Sequence, residues 1–199
     1  MNITIDTKII ESLMSFCNSA FMPGALFRNP NEHSRDMQID FLSSILTGIS
    51  AKNIIETGTE AAMFSYLVKC TIPQAKVTTF GMFNPTGDKR ELACTDFLNK
   101  TFGDYINFIE GDSKSTLSQY QSETPIEFAW IDGGHDRNTL YQDLLNCERL
   151  KIPHVCVDDY NLLFEVRNTT NEFLSKSTFY TIQSVTEEER GICYLINRS

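Results

Sequence analysis

Three apolar runs in this chain end in carboxylates. Ile54-Ile55-Glu56 leads into Thr57-Gly58-Thr59. Phe128-Ala129-Trp130-Ile131 leads into Asp132-Gly133-Gly134-His135, and Val155-Cys156-Val157 into Asp158-Asp159-Tyr160. Acids brought to one place can hold a cationic ligand or a divalent metal, because each carboxylate offers oxygen ligands and negative charge. His135, three residues after Asp132, adds an imidazole that can move a proton near neutral pH. Plainer readings stand beside these. One of the adjacent aspartates could cap a helix beginning near Leu162, and His135 could only order its turn.

The elements that would position these groups follow from the pattern. Strands are expected at 53–56, 76–80, 106–110, 127–132 and 154–157, each a short run rich in apolar or β-branched residues. Helical segments are expected between them at 61–70, 89–102, 113–122, 137–150 and 162–175. Residues 180–185 and 191–197 read as a hairpin around the charged turn 186–190. Such alternation with short loops implies an α/β fold. The expectation is a Rossmann-like, doubly wound, mainly parallel sheet with a C-terminal antiparallel hairpin. In such sheets ligands bind outside the carboxyl ends of the strands, which would put the three acidic clusters on one rim.

Two helices are expected before the first strand, at 5–20 and at 34–48, the second capped by Ser34 and closed near Gly48. The apolar connector 21–30 between them could serve as a lid or as a dimer surface. The 199 residues fit a single domain, with 1–50 as a helical segment and 51–199 as the core. A net charge of −9 argues against non-specific binding to nucleic acid or anionic membranes. The six cysteines show no CxxC and no zinc-type spacing. With no secretory leader in the N-terminal residues, a reduced cytoplasmic setting is expected.

The turn Glu56-Thr57-Gly58-Thr59-Glu60-Ala61-Ala62 is not the GxGxxG of dinucleotide sites. A glycine there lets backbone approach a ligand closely, although any tight strand-to-helix turn favours glycine. Four places in order carry a resemblance over roughly residues 35–199: Ile55-Glu56-Thr57-Gly58-Thr59, Gly111-Asp112-Ser113, Asp132-Gly133-Gly134-His135 and Asp158-Asp159-Tyr160. In these the chain resembles class I methyltransferases that use S-adenosylmethionine (SAM), and within them the small cation-dependent O-methyltransferase group.

The resemblance implies that Glu56, Gly58, Thr59 and Ala61 border the methionine part of SAM, with Asp132 close by. It implies that Asp112 accepts from the adenine amino group and that the Ser113 N–H reaches a ring nitrogen. It further implies that Asp132, Asp158 and Asp159 bind one divalent cation, for which Mg²⁺, Mn²⁺ or Ca²⁺ are suitable. His135 stands where catechol-methylating relatives have a lysine base. One position departs from the pattern. The second strand of the family ends in an acid that binds the ribose hydroxyls, but here Gly81 stands there. Asn84 or Asp88 could take its place.

The expected activity is methyl transfer to a hydroxyl of a sugar or another small molecule, without nucleic-acid or membrane partners. A catechol or phenol acceptor is an alternative, since catechols and vicinal diols both offer two oxygens to a metal. A silent, protein-binding methyltransferase-like domain is the rival from another class.

Overall fold

A computed structural model describes residues 5–16, 33–82 and 89–198. Asn84, Asp88 and the connector at 21–30 lie outside the described residues. The chain opens with α1 (Thr7–Phe16) and α2 (His33–Ile49). Alternation follows as β1 (Asn53–Thr57), α3 (Met63–Thr71), β2 (Lys76–Gly81), α4 (Arg90–Phe102), β3 (Ile106–Glu110) and α5 (Ser113–Gln119). It continues as β4 (Phe128–Ile131), α6 (Arg137–Arg149), β5 (His154–Val157) and α7 (Phe164–Lys176), and closes with β6 (Tyr180–Val185) and β7 (Cys193–Asn197).

The strands form one sheet in the order β3-β2-β1-β4-β5-β7-β6. The first five are parallel, and β7 pairs antiparallel with both β5 and β6. The order reverses between β1 and β4, where a crevice opens at the carboxyl ends. This is the expected doubly wound architecture with its terminal hairpin.

Both faces of the central strands are covered, which explains their unbroken apolar runs. Alternate residues enter opposite layers. Ile54, Phe128, Trp130 and Cys156 join the core beneath α1 to α4. Ile55, Ala129, Ile131, Val155 and Val157 join the core beneath α5 to α7. Phe64 of α3 stacks on Trp130 with ring centroids 5.3 Å apart. No helix among the described residues is long and apolar enough to cross a membrane.

Three boundaries differ from the sequence pattern in ways that matter. Helix α2 begins at His33, so Ser34 lies within its first turn and not at its cap. Helix α3 begins at Met63 and not at Ala61, because Ala62 adopts a left-handed backbone (φ 55°) that helical geometry cannot include. Helix α7 is entered through Leu163 with no side-chain cap, so neither Asp158 nor Asp159 caps it.

Candidate active site

The rim is drawn together by backbone hydrogen bonds that run past the strand ends. Gly58 N–H donates to the Phe80 carbonyl (2.9 Å) and Gly111 N–H to that of Gly81 (2.9 Å). Asp132 N–H donates to Thr57 (3.0 Å) and Asp158 N–H to Ile131 (3.0 Å). Glycines and acids therefore fall in one row. Over this row lies a cleft of about 710 Å³, lined by Gly58, Gly81, Glu91, Asp112, Asp132 and His135 among others. Small-molecule sites usually span about 300–1,000 Å³.

The turn after β1 is strained. Gly58 has φ 85°, and the non-glycines Glu60 and Ala62 have φ 43° and 55°. Left-handed non-glycine residues cost about 1–3 kcal/mol each and gather at functional sites. A Cβ on Gly58 would overlap the Asp132 carbonyl oxygen, 2.6 Å from its carbon and 2.9 Å from Gly133 Cα. The glycine is thus required by the approach of the β4 end, which places Asp132 against the turn.

Glu56 is buried at the end of β1 and accepts from Ser65 Oγ at 2.7 Å. Burial pushes its carboxyl up to about 8. The Ser65 and Thr79 hydroxyls pull the other way, and the charges of Asp132 and Glu91 add to the rise. A small cavity of about 20 Å³ opens beside it, lined by Gly58, Thr59, Ala61 and Asp132. The Thr59 hydroxyl is paired with Thr79 Oγ1 at 2.7 Å, which leaves Thr59 and Ala61 to meet a ligand through backbone groups.

At the β3 end, Asp112 accepts from the Lys114 N–H (3.0 Å) and caps α5. Its other oxygen lies 3.2 Å from Lys114 Nζ. Ser113 Oγ donates to Asp143 Oδ2 at 3.1 Å. Asp143, on α6, is held up to about 7 by burial, against the pull of the Ser113 and Thr57 hydroxyls.

Between β4 and β5 the geometry departs from the expected trio of aspartates. His135 Nε2 lies 3.7 Å from Asp132 Oδ1 and 3.5 Å from Asp159 Oδ2. One ligand atom from each of these three residues falls within 4.8 Å of the others. Asp158 stands outside that group, with Arg190 Nη2 3.2 Å from its Oδ2. The same nitrogen lies 2.7 Å from Asp159 Oδ1. Arg190 comes from the turn between β6 and β7, and its guanidinium lies against both acids. Asp159 reaches this place through a left-handed backbone, φ 56°.

Charge and burial act together here. Burial drives Asp158 well above the carboxylate range, and repulsion from Asp132 and Asp159 adds to it. Burial also raises Asp159, with Arg190 opposing. His135 is raised chiefly by the neighbouring Asp132 carboxylate, while burial opposes. Burial pulls Arg190 down, but Asp158, Asp159 and Asp132 outweigh it and hold the guanidinium above its ordinary value.

Four residues of this neighbourhood carried no functional signal in the sequence: Glu60, Glu91, Asp143 and Arg190. Arg190 sits in a Glu-Glu-Glu-Arg run that reads as a solvated turn, and Asp143 faces inward from a largely polar helix. Arg137 is turned away from the cleft and pairs with Glu172 at 2.6 Å. Tyr160 is buried and donates to Asn171 Oδ1 at 2.9 Å.

A family model described as a methyltransferase domain matches residues 55–160. No curated protein matches the sequence closely enough to add a relative. Solved structures share the fold. The O-methyltransferase from Bacillus cereus, in complex with S-adenosylhomocysteine (SAH), aligns with 98% of this chain and 93% of its own at 16% identity and a TM-score of 0.73. The O-methyltransferase TomG from Streptomyces achromogenes, in complex with SAM, aligns with 100% and 93% at 13% identity and a TM-score of 0.72. Cofactor-bound Rv0187 from MTB aligns with 98% and 91% at 17% identity and a TM-score of 0.72.

Proposed function

The chain belongs to the methyltransferase domain family, whose model matches residues 55–160, and from this we propose that it is a SAM-dependent, divalent-cation-assisted O-methyltransferase. Its acceptor is a hydroxyl of a sugar or another small molecule. The observation that carries the reading is the convergence in one cleft of the Gly58 turn, Glu56 beside it, and the Asp132, His135 and Asp159 group.

The residues fit both groups that the reaction needs. Glu60, Glu91, Asp112, Asp132, Asp136 and Asp159 line the cleft, and their carboxylates favour a ligand bearing a sulfonium and an ammonium. Glu56, Gly58, Thr59, Ala61 and Asp132 would border its methionine end, and Asp112 and Ser113 its base. Bound SAM supplies an electrophilic methyl group. Asp132 and Asp159 would hold a divalent cation through carboxylate oxygens, which suit such an ion, and this leaves the His135 imidazole to take a proton. When bound, that ion lowers the pKa of an acceptor hydroxyl. Arg190 compensates Asp158 and part of Asp159, so the acids can stay close together before any ligand arrives.

Proton movement falls to His135. Its Nε2 faces the cleft between Asp132 and Asp159, which orient the ring. The neutral imidazole can take the acceptor's proton while the carboxylates stabilise the imidazolium that forms.

Calorimetry with SAM, with and without Mg²⁺ and with excess EDTA, tests the reading. It is paired with methyl-labelled SAM offered to a panel of monosaccharides and catechols. SAM should bind in EDTA as in Mg²⁺, while methyl transfer should need the cation. Absence of SAM binding would mean a silent, protein-binding domain. Full turnover in EDTA would remove the metal from the mechanism.

A further inference from the structure

The end of β2 carries no acid of its own, yet a carboxylate is there. Gly81 is the last residue of β2. A Cβ built on it would fall on Glu91 Oε2, 3.0 Å from Glu91 Cδ and 2.6 Å from Thr59 Oγ1. Glu91 belongs to the first turn of α4 and lines the cleft together with Gly81. Its carboxylate thus occupies the space that a side chain at position 81 would take. We propose that Glu91 binds the ribose hydroxyls of the cofactor, the acid being delivered by helix α4 across a glycine on β2.

The assignment rests on the SAM reading above and adds a residue to it. In doubly wound sheets the ribose lies over the end of β2, between the first strand-to-helix turn and β3. Gly81 sits there, hydrogen-bonded through Gly111 N–H to the β3 end. A carboxylate is suited to a vicinal diol because it accepts from two hydroxyls at once. Four other acids of the rim belong to the ends of other strands. Asp112 caps α5, Asp132 and Asp159 flank His135, and Glu56 is held by Ser65. Gly81 is part of the device, since any side chain there would evict the Glu91 carboxylate.

The test compares SAH with its 2′,3′-dideoxy analogue by calorimetry on the full chain. Wild type should prefer SAH by about 10–100-fold, the range expected for hydrogen bonds to a charged acceptor. Glu91→Ala should weaken SAH to the level of the analogue and leave the analogue unchanged. Glu91→Gln, which keeps shape and loses charge, should fall between. Gly81→Ala should also cost SAH affinity, with Glu91 still present. If Glu91→Ala is folded by circular dichroism and retains the wild-type preference for SAH, the assignment is wrong. If wild type binds neither ligand, the cofactor reading itself fails and Glu91 falls with it. These two failures look different on the same instrument.

Discussion

Gly58→Ala is a small change with a calculable consequence. The new Cβ would lie 2.6 Å from the Asp132 carbonyl carbon and overlap its oxygen. Ordinary contact begins at about 3.4 Å, so the end of β4 would have to retreat by about 1 Å. That motion breaks the 3.0 Å bond from Asp132 N–H to the Thr57 carbonyl, worth about 1 kcal/mol. Holding a non-glycine at φ 85° adds about 1–2 kcal/mol. The total of about 2–3 kcal/mol corresponds to a Tm drop of about 5–10 °C for a chain of this size. Because Asp132 moves with β4, SAM affinity should fall as well, by about tenfold or more. Thermal denaturation and calorimetry measure the two effects. Gly48→Ala is the control, since a Cβ there meets nothing within 4 Å and a helical alanine is favoured by about 0.5–1 kcal/mol. A Gly58→Ala protein with wild-type Tm and wild-type SAM affinity would refute the reasoning about the β1–β4 contact.

Further outcomes are expected. Burial raises the Asp143 carboxyl to about 7 from its ordinary 3.8, so the native state holds a proton that the unfolded chain has released. Stability should therefore fall as pH rises from about 4 to 7, and Asp143→Asn should make that decline shallower, with the raised carboxyls of Glu56, Asp158 and Asp159 sustaining the rest; parallel denaturation curves for the two proteins would refute this. Arg190→Ala leaves Asp158 and Asp159 without their guanidinium, and removing one partner of a buried pair costs about 3–5 kcal/mol. Millimolar Mg²⁺ should recover part of the lost Tm, and a variant indifferent to both Arg190 and Mg²⁺ would show that the acids need no cation. His135→Ala should lower turnover by about 10²–10⁴-fold with SAM affinity unchanged; a full-rate variant would move the base elsewhere.

The order of elements was legible in the sequence because each strand of a parallel sheet is buried on both faces. Ile54-Ile55, Phe128 to Ile131 and Val155 to Val157 show this as uninterrupted apolar runs. Their closing acids were legible as rim residues for the same reason, since parallel topology sends all such ends to one side. Local pattern carries periodicity but not which distant side chain arrives at a given point. Asp132 and Asp159 could be paired on topology alone, whereas tertiary packing decided that His135 joins them and that Asp158 turns to Arg190. The turn holding Arg190 is brought over β5 by the pairing of β7 with β5, a contact with no local signature. Glu91 reads as an ordinary first-turn helical acid. Only the packing of α4 beside a strand that ends in glycine sets its carboxylate over Gly81, where a missing side chain leaves the room for it.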